Sequence, residues 1–300
     1  MFTLNDLKHF VESNPNLVMR KQSVVYPNLS VLKYKNRCFY DGIWNQYIEN
    51  CRGLVVDENW DIVNYPFAKI FNYGIEKNAP VIGDDEIVTA IRKVNGFMAA
   101  ASMYNNELLV STTGSLDSDY AKLAKELIQQ SFDLIRDYPG LSKDHTYIFE
   151  ICHVSDPHII PEKEGVYLLG IRENELNSEI IIPDPFHANC DYTEATYLPE
   201  KIVDTFANMK KLVKTVKHEG FVVYAENGRT TKIKSPYYLF NKFLARCKNK
   251  QKLFDNLQKR TNPEEFYGVI DKINKNREEF FLLGEQERLE FIRDIFEGVY

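Results

Sequence analysis

Positive charge is in short supply: 37 lysines and arginines face 43 aspartates and glutamates, for a net charge of −6. That excludes a polycation that coats nucleic acid everywhere, so any phosphate contact must be local. Apolar runs of membrane length are missing, and the opening "MFTLNDLKHFVESNPNL" reads as a short amphipathic helix, not a leader. Cysteine is thin too. Cys38, Cys51, Cys152, Cys190 and Cys247 are odd in number, scattered and never in CxxC spacing. No disulfide framework or zinc knuckle follows from them, and the expected setting is the reducing cytoplasm with no membrane partner. There is no Walker or Rossmann glycine pattern, no nucleophile elbow, no internal repeat and no low-complexity tract.

What is present is ample core: 44% of the 300 residues are hydrophobic and 13% aromatic. Strand-like pieces begin with "SVVYPNLSVLKY" and "CRGLVVDENWDIVNYPFAKIFNY", with "DENW" as a turn. More strands are expected at 86–93, 96–103 and 107–112, then a helix over 116–138 that starts near Asp117 or Ser118. Strands resume with "HTYIFEICHV" and "GVYLLGIREN", followed by a helix over 197–216. "EGFVVYAENG" and "RTTKIKS" form a hairpin in which Asn227-Gly228 supplies positive φ angles. Ser235-Pro236 then opens a helix, and the pattern stays helical to the end. The expected class is α+β, with mostly antiparallel sheets over 1–238 and a small all-α domain over 239–300.

A lysine stands where two strand-like runs meet, in "TAIRKVNGFMAAAS". Lys93 there either edges a sheet or serves as a nucleophile held by one. K-x-x-G alone decides little, since Lys217–Gly220 matches as well. The company is more telling: Glu150 within "YIFEIC", then Glu219 in "EGFVV", then Lys232 and Lys234 in "KIK". Alternation sends Lys232 and Lys234 to one face of a strand, where two ammonium groups want an anion or open water. "CHVSDPHIIPE" gathers Cys152, His153, Asp156, His158 and Glu162, but without the tight pairing that zinc sites use.

In order and spacing, "NCRGLVVD", "PFAKIFNY", the lysine motif, "FEICHVSDPHIIP", "YLLGIREN" and "EGFVV…TTKIKS" resemble the bacteriophage-type RNA ligase 1 family, within the covalent nucleotidyltransferase superfamily that includes tRNA-repair ligases. The resemblance runs from about residue 50 to 240. It implies an adenylyltransferase domain with ATP and Mg²⁺ (or Mn²⁺) as cofactors. Lys93 would attack the α-phosphate of ATP, pass AMP to an RNA 5′-phosphate, and allow an RNA 3′-hydroxyl to displace it. Lys232, Lys234 and the metal would lower the pKa of Lys93 and neutralise the triphosphate. By the same resemblance Gly96 admits close approach of the nucleotide, Glu150 contacts the ribose and metal, and Glu219 holds the metal. Arg52 and Lys69, with Phe71 beside it, correspond to phosphate-binding positions, and Leu169 and Val222 to the plates that sandwich adenine.

The chain departs from the family twice. Asn95 replaces the usual acid in K-x-D-G, and Thr113 stands before Gly114 where phage relatives have a lysine. The expected partner is RNA with 5′-phosphate and 3′-hydroxyl ends, such as nicked tRNA, prepared by a kinase/phosphatase, in a host cytoplasm if phage-encoded. The segment "KFLARCKNKQKLFDNLQKR", seven basic residues against one acid, is either a solvated helix face or an RNA grip. The alternatives are a DNA ligase or capping-type enzyme, which would need an OB-fold after the "KIK" strand, and a catalytically silent RNA-binding relative.

Overall fold

The structure is a computed structural model that describes residues 2–131, 144–183, 196–258, 262 and 266–297. The chain opens with α1 (Leu4–Ser13), closed by a capping box between Thr3 and Asp6. Such a pair satisfies two of the orphan donors at a helix start. Four strands follow, β1 (Val18–Gln22), β2 (Ser30–Tyr34), β3 (Arg52–Val56) and β4 (Ile62–Asn64), paired in that order and antiparallel. Between β2 and β3 lie two short helices, α2 (Arg37–Tyr40) and α3 (Gln46–Asn50). One face of this sheet is buried under α1 and α3 through Leu7, Val11, Leu32, Ile48 and Leu54. The other face packs Val31, Val55 and Val63 on Leu109 of the next sheet.

Next come β5 (Phe71–Asn72), β6 (Ile87–Arg92), β7 (Phe97–Tyr104), β8 (Glu107–Thr112), α4 (Asp119–Ser131), β9 (His145–Cys152) and β10 (Gly165–Glu173). They are followed by β11 (Thr196–Tyr197), β12 (Lys201–Thr205), α5 (Phe206–Leu212), β13 (Gly220–Tyr224) and β14 (Thr230–Lys234). These strands make two five-stranded sheets, in the orders β11-β10-β9-β7-β8 and β12-β6-β13-β14-β5. Pairing is antiparallel except for β10–β11 and β14–β5. The α+β expectation with mostly antiparallel sheets holds. The turn between β13 and β14 carries positive φ at Asn227 (60°) and Gly228 (71°), as the Asn-Gly pair predicts.

Two expectations need correction. Residues 197–216 are not one helix: Lys201–Thr205 form β12 against β6, and only Phe206–Leu212 are helical. The β-branched run of Ile202, Val203 and Thr205 favours an edge strand, and Thr205 then caps α5 by accepting the Asn208 N–H. The second is an omission, because "VMRKQ" pairs fully with β2 although its exposed basic face gave no apolar alternation. Of the helix expected over 116–138, α4 covers Asp119–Ser131 and the remainder lies outside the described residues. Ser118 caps it, while Asp117 turns back to Ser23, Val24 and Val25.

Helices complete the chain: α6 (Pro236–Arg246), α7 (Lys250–Asn256), α8 (Tyr267–Lys275), α9 (Arg277–Leu282) and α10 (Glu285–Glu297). They share their own core of Phe240, Leu244, Leu253, Val269, Ile270, Phe280 and Ile292. Tyr238, Ala245 and Leu289 dock this unit on Ile159 and Ile160, in the segment after β9. Each such large apolar side chain, fully buried, contributes about 1.5–3 kcal/mol. No helix among the described residues is long and apolar enough to cross a membrane.

Candidate active site

A cleft of about 620 Å³, its open mouth included, lies between the two five-stranded sheets. Its walls include Arg52, Lys93, Glu150, Leu169, Val222 and Lys232, so six of the positions singled out in the sequence converge on one space. Each is delivered by regular structure. Lys93 follows the last residue of β6, and its backbone N–H donates to the Gly220 carbonyl at 2.8 Å, which ties it to β13. Val222 stands between Ile91 and Lys232 in the same sheet. Leu169 comes from the facing sheet, where a bulge between Leu168 and Gly170 leaves it unpaired and turned into the cleft. Leu169 and Val222 thus present apolar groups from two separate sheets to one planar space.

Lys93 lies among carboxylates. Its Nζ is 3.3 Å from Glu219 Oε2 and 3.9 Å from Glu150 Oε1. The other oxygen of Glu219 takes Lys234 Nζ at 2.9 Å, so Glu219 bridges the two lysines. Glu150 Oε1 also accepts the Gly96 N–H at 3.0 Å. These acids and Lys234 are largely buried, and Tyr238 of α6 stands at the far side: its ring lies 4.9 Å from Lys234 Nζ, and burial, then the nearby Glu219 carboxylate, pushes its pKa up.

Charge states separate the lysines. Burial pushes Lys93 toward losing its proton, but Glu150 and Glu219 outweigh burial and hold its pKa above that of free lysine. Among the protein's own groups, then, the carboxylates and not the neighbouring lysines set the direction at Lys93. The cations act on Lys232 instead. Burial, then Arg52, Lys69, Lys93 and Lys234, bring it down to about 7. Glu219 is held below the usual carboxylate range: burial raises it, but the two lysines win.

The other candidates fall as follows. Gly96 is required by β9: a Cβ there would sit 2.2 Å from the Ile151 carbonyl oxygen. Lys69 and Phe71 lie behind the cleft lining. Lys69 Nζ pairs with Glu76 at 2.7 Å and rests 4.4 Å from the Phe71 ring, within an aromatic box that includes Phe39 and Trp44. That local carboxylate and those ring faces hold it away from the cleft. At Thr113, an ammonium arrives from elsewhere: Lys33 of β2 lies across Gly114, its Nζ 2.9 Å from where a Cβ would be. Lys33 also pairs in register with Arg52.

Residues that the sequence alone did not reveal also line the cleft, namely Arg92, Met98 and Tyr224. Arg92 adjoins Lys93 and could have been flagged on that ground; Met98, Tyr224 and Tyr238 carry no signal apart from the fold. In the 152–162 segment, His158 pairs with Asp156 at 2.7 Å, His153 with Ser155 at 2.7 Å, and Glu162 with Arg92 at 2.6 Å. Among the described residues no three metal-ligating side chains converge. Glu150 and Glu219 therefore offer two carboxylates and no built cage. A hard divalent cation held chiefly by substrate phosphate and water fits such a pair.

A family model described as "RNA ligase" (RNA_lig_T4_1) matches residues 50–254. The chain belongs to this phage-type RNA ligase family. An RNA ligase of Rhodothermus phage RM378 is 23% identical, the match covering 74% of this chain and 66% of that relative. The chain therefore spans just under two thirds of that relative's length. Among solved structures, two forms of an archaeal ATP-dependent RNA ligase superpose with TM-scores of 0.53 and 0.55 at 14% and 13% identity. They cover 99% and 97% of this chain and 79% and 75% of theirs. A putative ATP-dependent DNA ligase from Aquifex aeolicus reaches 0.54 at 13% identity, over 96% of this chain and 77% of its own. At such identities the likeness establishes the ligase nucleotidyltransferase fold.

Proposed function

We propose that the chain is an ATP-dependent RNA ligase that joins a 5′-phosphate to a 3′-hydroxyl through a Lys93–AMP adduct and an adenylated RNA end. The observation that carries this reading is Lys93 at a cleft wall with Glu150 and Glu219 within salt-bridge reach, in a chain of the RNA ligase family. Leu169 and Val222 would flank adenine, and Arg52, Arg92 and Lys232 would face the phosphates. Glu219 and Glu150 would hold Mg²⁺ or Mn²⁺, which when bound offsets triphosphate charge. Lys93 attacks as the free amine, so its proton must leave, and Glu219 at 3.3 Å is the nearest carboxylate to receive or relay it. The Nζ–phosphorus bond forms as the bond to pyrophosphate breaks. AMP then passes to the RNA 5′-phosphate oxygen, Lys93 regains its free amine, and attack by the 3′-hydroxyl expels AMP.

Lys33, stretched across Gly114 next to Arg52, supports a phosphate contact at the place where Thr113 leaves none. A broken tRNA, with ends prepared by a kinase/phosphatase in the cytoplasm, is the substrate class that fits the family reading. The body over 1–238 would do the chemistry, and the helices over 239–300 would select the RNA. Incubation with ATP labelled at the α-phosphate and a divalent cation, followed by denaturing electrophoresis, tests the reading. Label should stay on the chain and vanish in Lys93→Ala. Sealing assays on nicked RNA and nicked DNA then separate RNA ligase from the DNA ligase alternative, and a chain that never takes label is the silent relative.

A further inference from the structure

Behind the Lys93–Gly96 turn lies an acid that the site as described does not use. Glu162 comes from the segment between β9 and β10, and its side chain is only 3% exposed. Its Oε2 accepts Arg92 Nη2 at 2.6 Å, and the Asn95 backbone N–H faces the same carboxylate. Its Oε1 is buried without a hydrogen-bond partner, and so is Nδ2 of Asn95. A buried acceptor and a buried donor left open on facing residues are each costly, and such groups are rare enough to need a reason.

Charge bookkeeping supplies one. Asn95 is buried and neutral at a position two residues from the nucleophile, and Glu162 is close enough to Glu219 for the two acids to repel. An acid at 95 would add a further carboxylate against Glu162 in a space with one facing guanidinium, and both could not stay ionised. The amide at 95 and the acid at 162 together place one negative charge beneath the turn. We propose that Glu162 carries the buried carboxylate that positions the Lys93–Gly96 turn and Arg92 for adenylyl transfer, with Asn95 kept neutral so that this charge is single. Glu162 acts through Arg92, which lines the cleft, and through the Asn95 backbone; it is a positioning residue. The inference rests on the reading of Lys93 as the nucleophile.

The two positions should then be interchangeable in charge. Single-turnover labelling by α-labelled ATP is measured in the full chain, in Asn95→Asp, in Glu162→Gln and in the double variant, with thermal melts as the folding check. Asn95→Asp changes no shape, yet it should slow labelling at saturating ATP by about tenfold or more. Its half-saturating ATP concentration should move by less than about twofold, a loss of rate and not of binding. Glu162→Gln should be comparably slow, and the double variant should recover to within about threefold of the parent. A merely structural role predicts no recovery. Asn95→Asp at the parental rate, or a double variant no faster than the slower single, overturns the proposal; if Glu162→Gln does not fold, those two variants still decide. A parent chain that takes no label removes the ligase reading and this inference with it, whereas a labelled parent with the wrong variant pattern removes the inference alone.

Discussion

Two lysines of one cleft have opposite charge behaviour, and the difference is set by which neighbours face each nitrogen. Both are buried, but Lys93 faces two carboxylates and keeps its proton, whereas burial and then the neighbouring cations bring Lys232 to about 7. An anion entering the cleft reverses the situation at Lys232, because negative charge beside it favours the ammonium. Above pH 7, ATP binding should therefore take up a proton at Lys232, and affinity should fall as pH rises from 7 to 9. Titration calorimetry in buffers of different ionisation enthalpy reads the uptake directly. In the empty protein the sign for stability is also defined. Unfolded, this lysine titrates near 10.4. Its cost is absent above that value, grows as pH falls toward 7 and is constant below. Lys232→Met should thus stabilise the empty protein at pH 7 by on the order of 2 kcal/mol while abolishing labelling. A melting-temperature gain that shrinks toward pH 10 identifies the charge as the cause.

Among the elements, legibility followed periodicity. The strands that carry Glu150 and Lys232, and those that Lys93 and Glu219 adjoin, alternate or run apolar, and each forms where the pattern places it. Ser235 and Pro236 open α6 as their types require, with the Ser235 hydroxyl accepting the Tyr238 N–H at 3.0 Å. Lys201–Thr205 was misread because a run with helical spacing on its C-terminal side masked a pairing available only once β6 exists. Lys69 shows the same limit at the site. The family resemblance marks it as a phosphate position, yet in the structure its ammonium pairs with Glu76, seven residues further along the chain. The bulge in β10 is invisible in "VYLLGIREN" but turns Leu169 inward. Leu169→Ala should raise the KM for ATP roughly tenfold with little change in kcat, since it removes a ground-state contact. Gly96→Ala should cost more than about 2 kcal/mol, because β9's carbonyl cannot yield; chemical denaturation would measure it.

In the whole molecule, three sheets form the cleft body and the terminal helices pack on it. The basic stretch that begins in α6 is already partly committed, since Arg246 pairs with Glu285 at 2.6 Å and Lys250 pairs with Glu278. Lys248 and Lys252 stay exposed. If the helices grip RNA, Lys248→Glu with Lys252→Glu should weaken sealing and flatten its salt dependence by about two units of slope while labelling by ATP persists. Equal loss of both activities would remove RNA from the role of these helices.

One hydroxyl joins these two halves. Ser235 Oγ caps α6 and also hydrogen-bonds the His218 carbonyl, next to Glu219 in the chain. The Ser235 N–H also donates to the Glu219 carbonyl at 3.0 Å. The terminal bundle is thereby geared to the carboxylate that bridges Lys93 and Lys234, with no slack loop between them. A shift of the bundle would therefore carry Glu219 with it, and so move the carboxylate that faces the Lys93 ammonium.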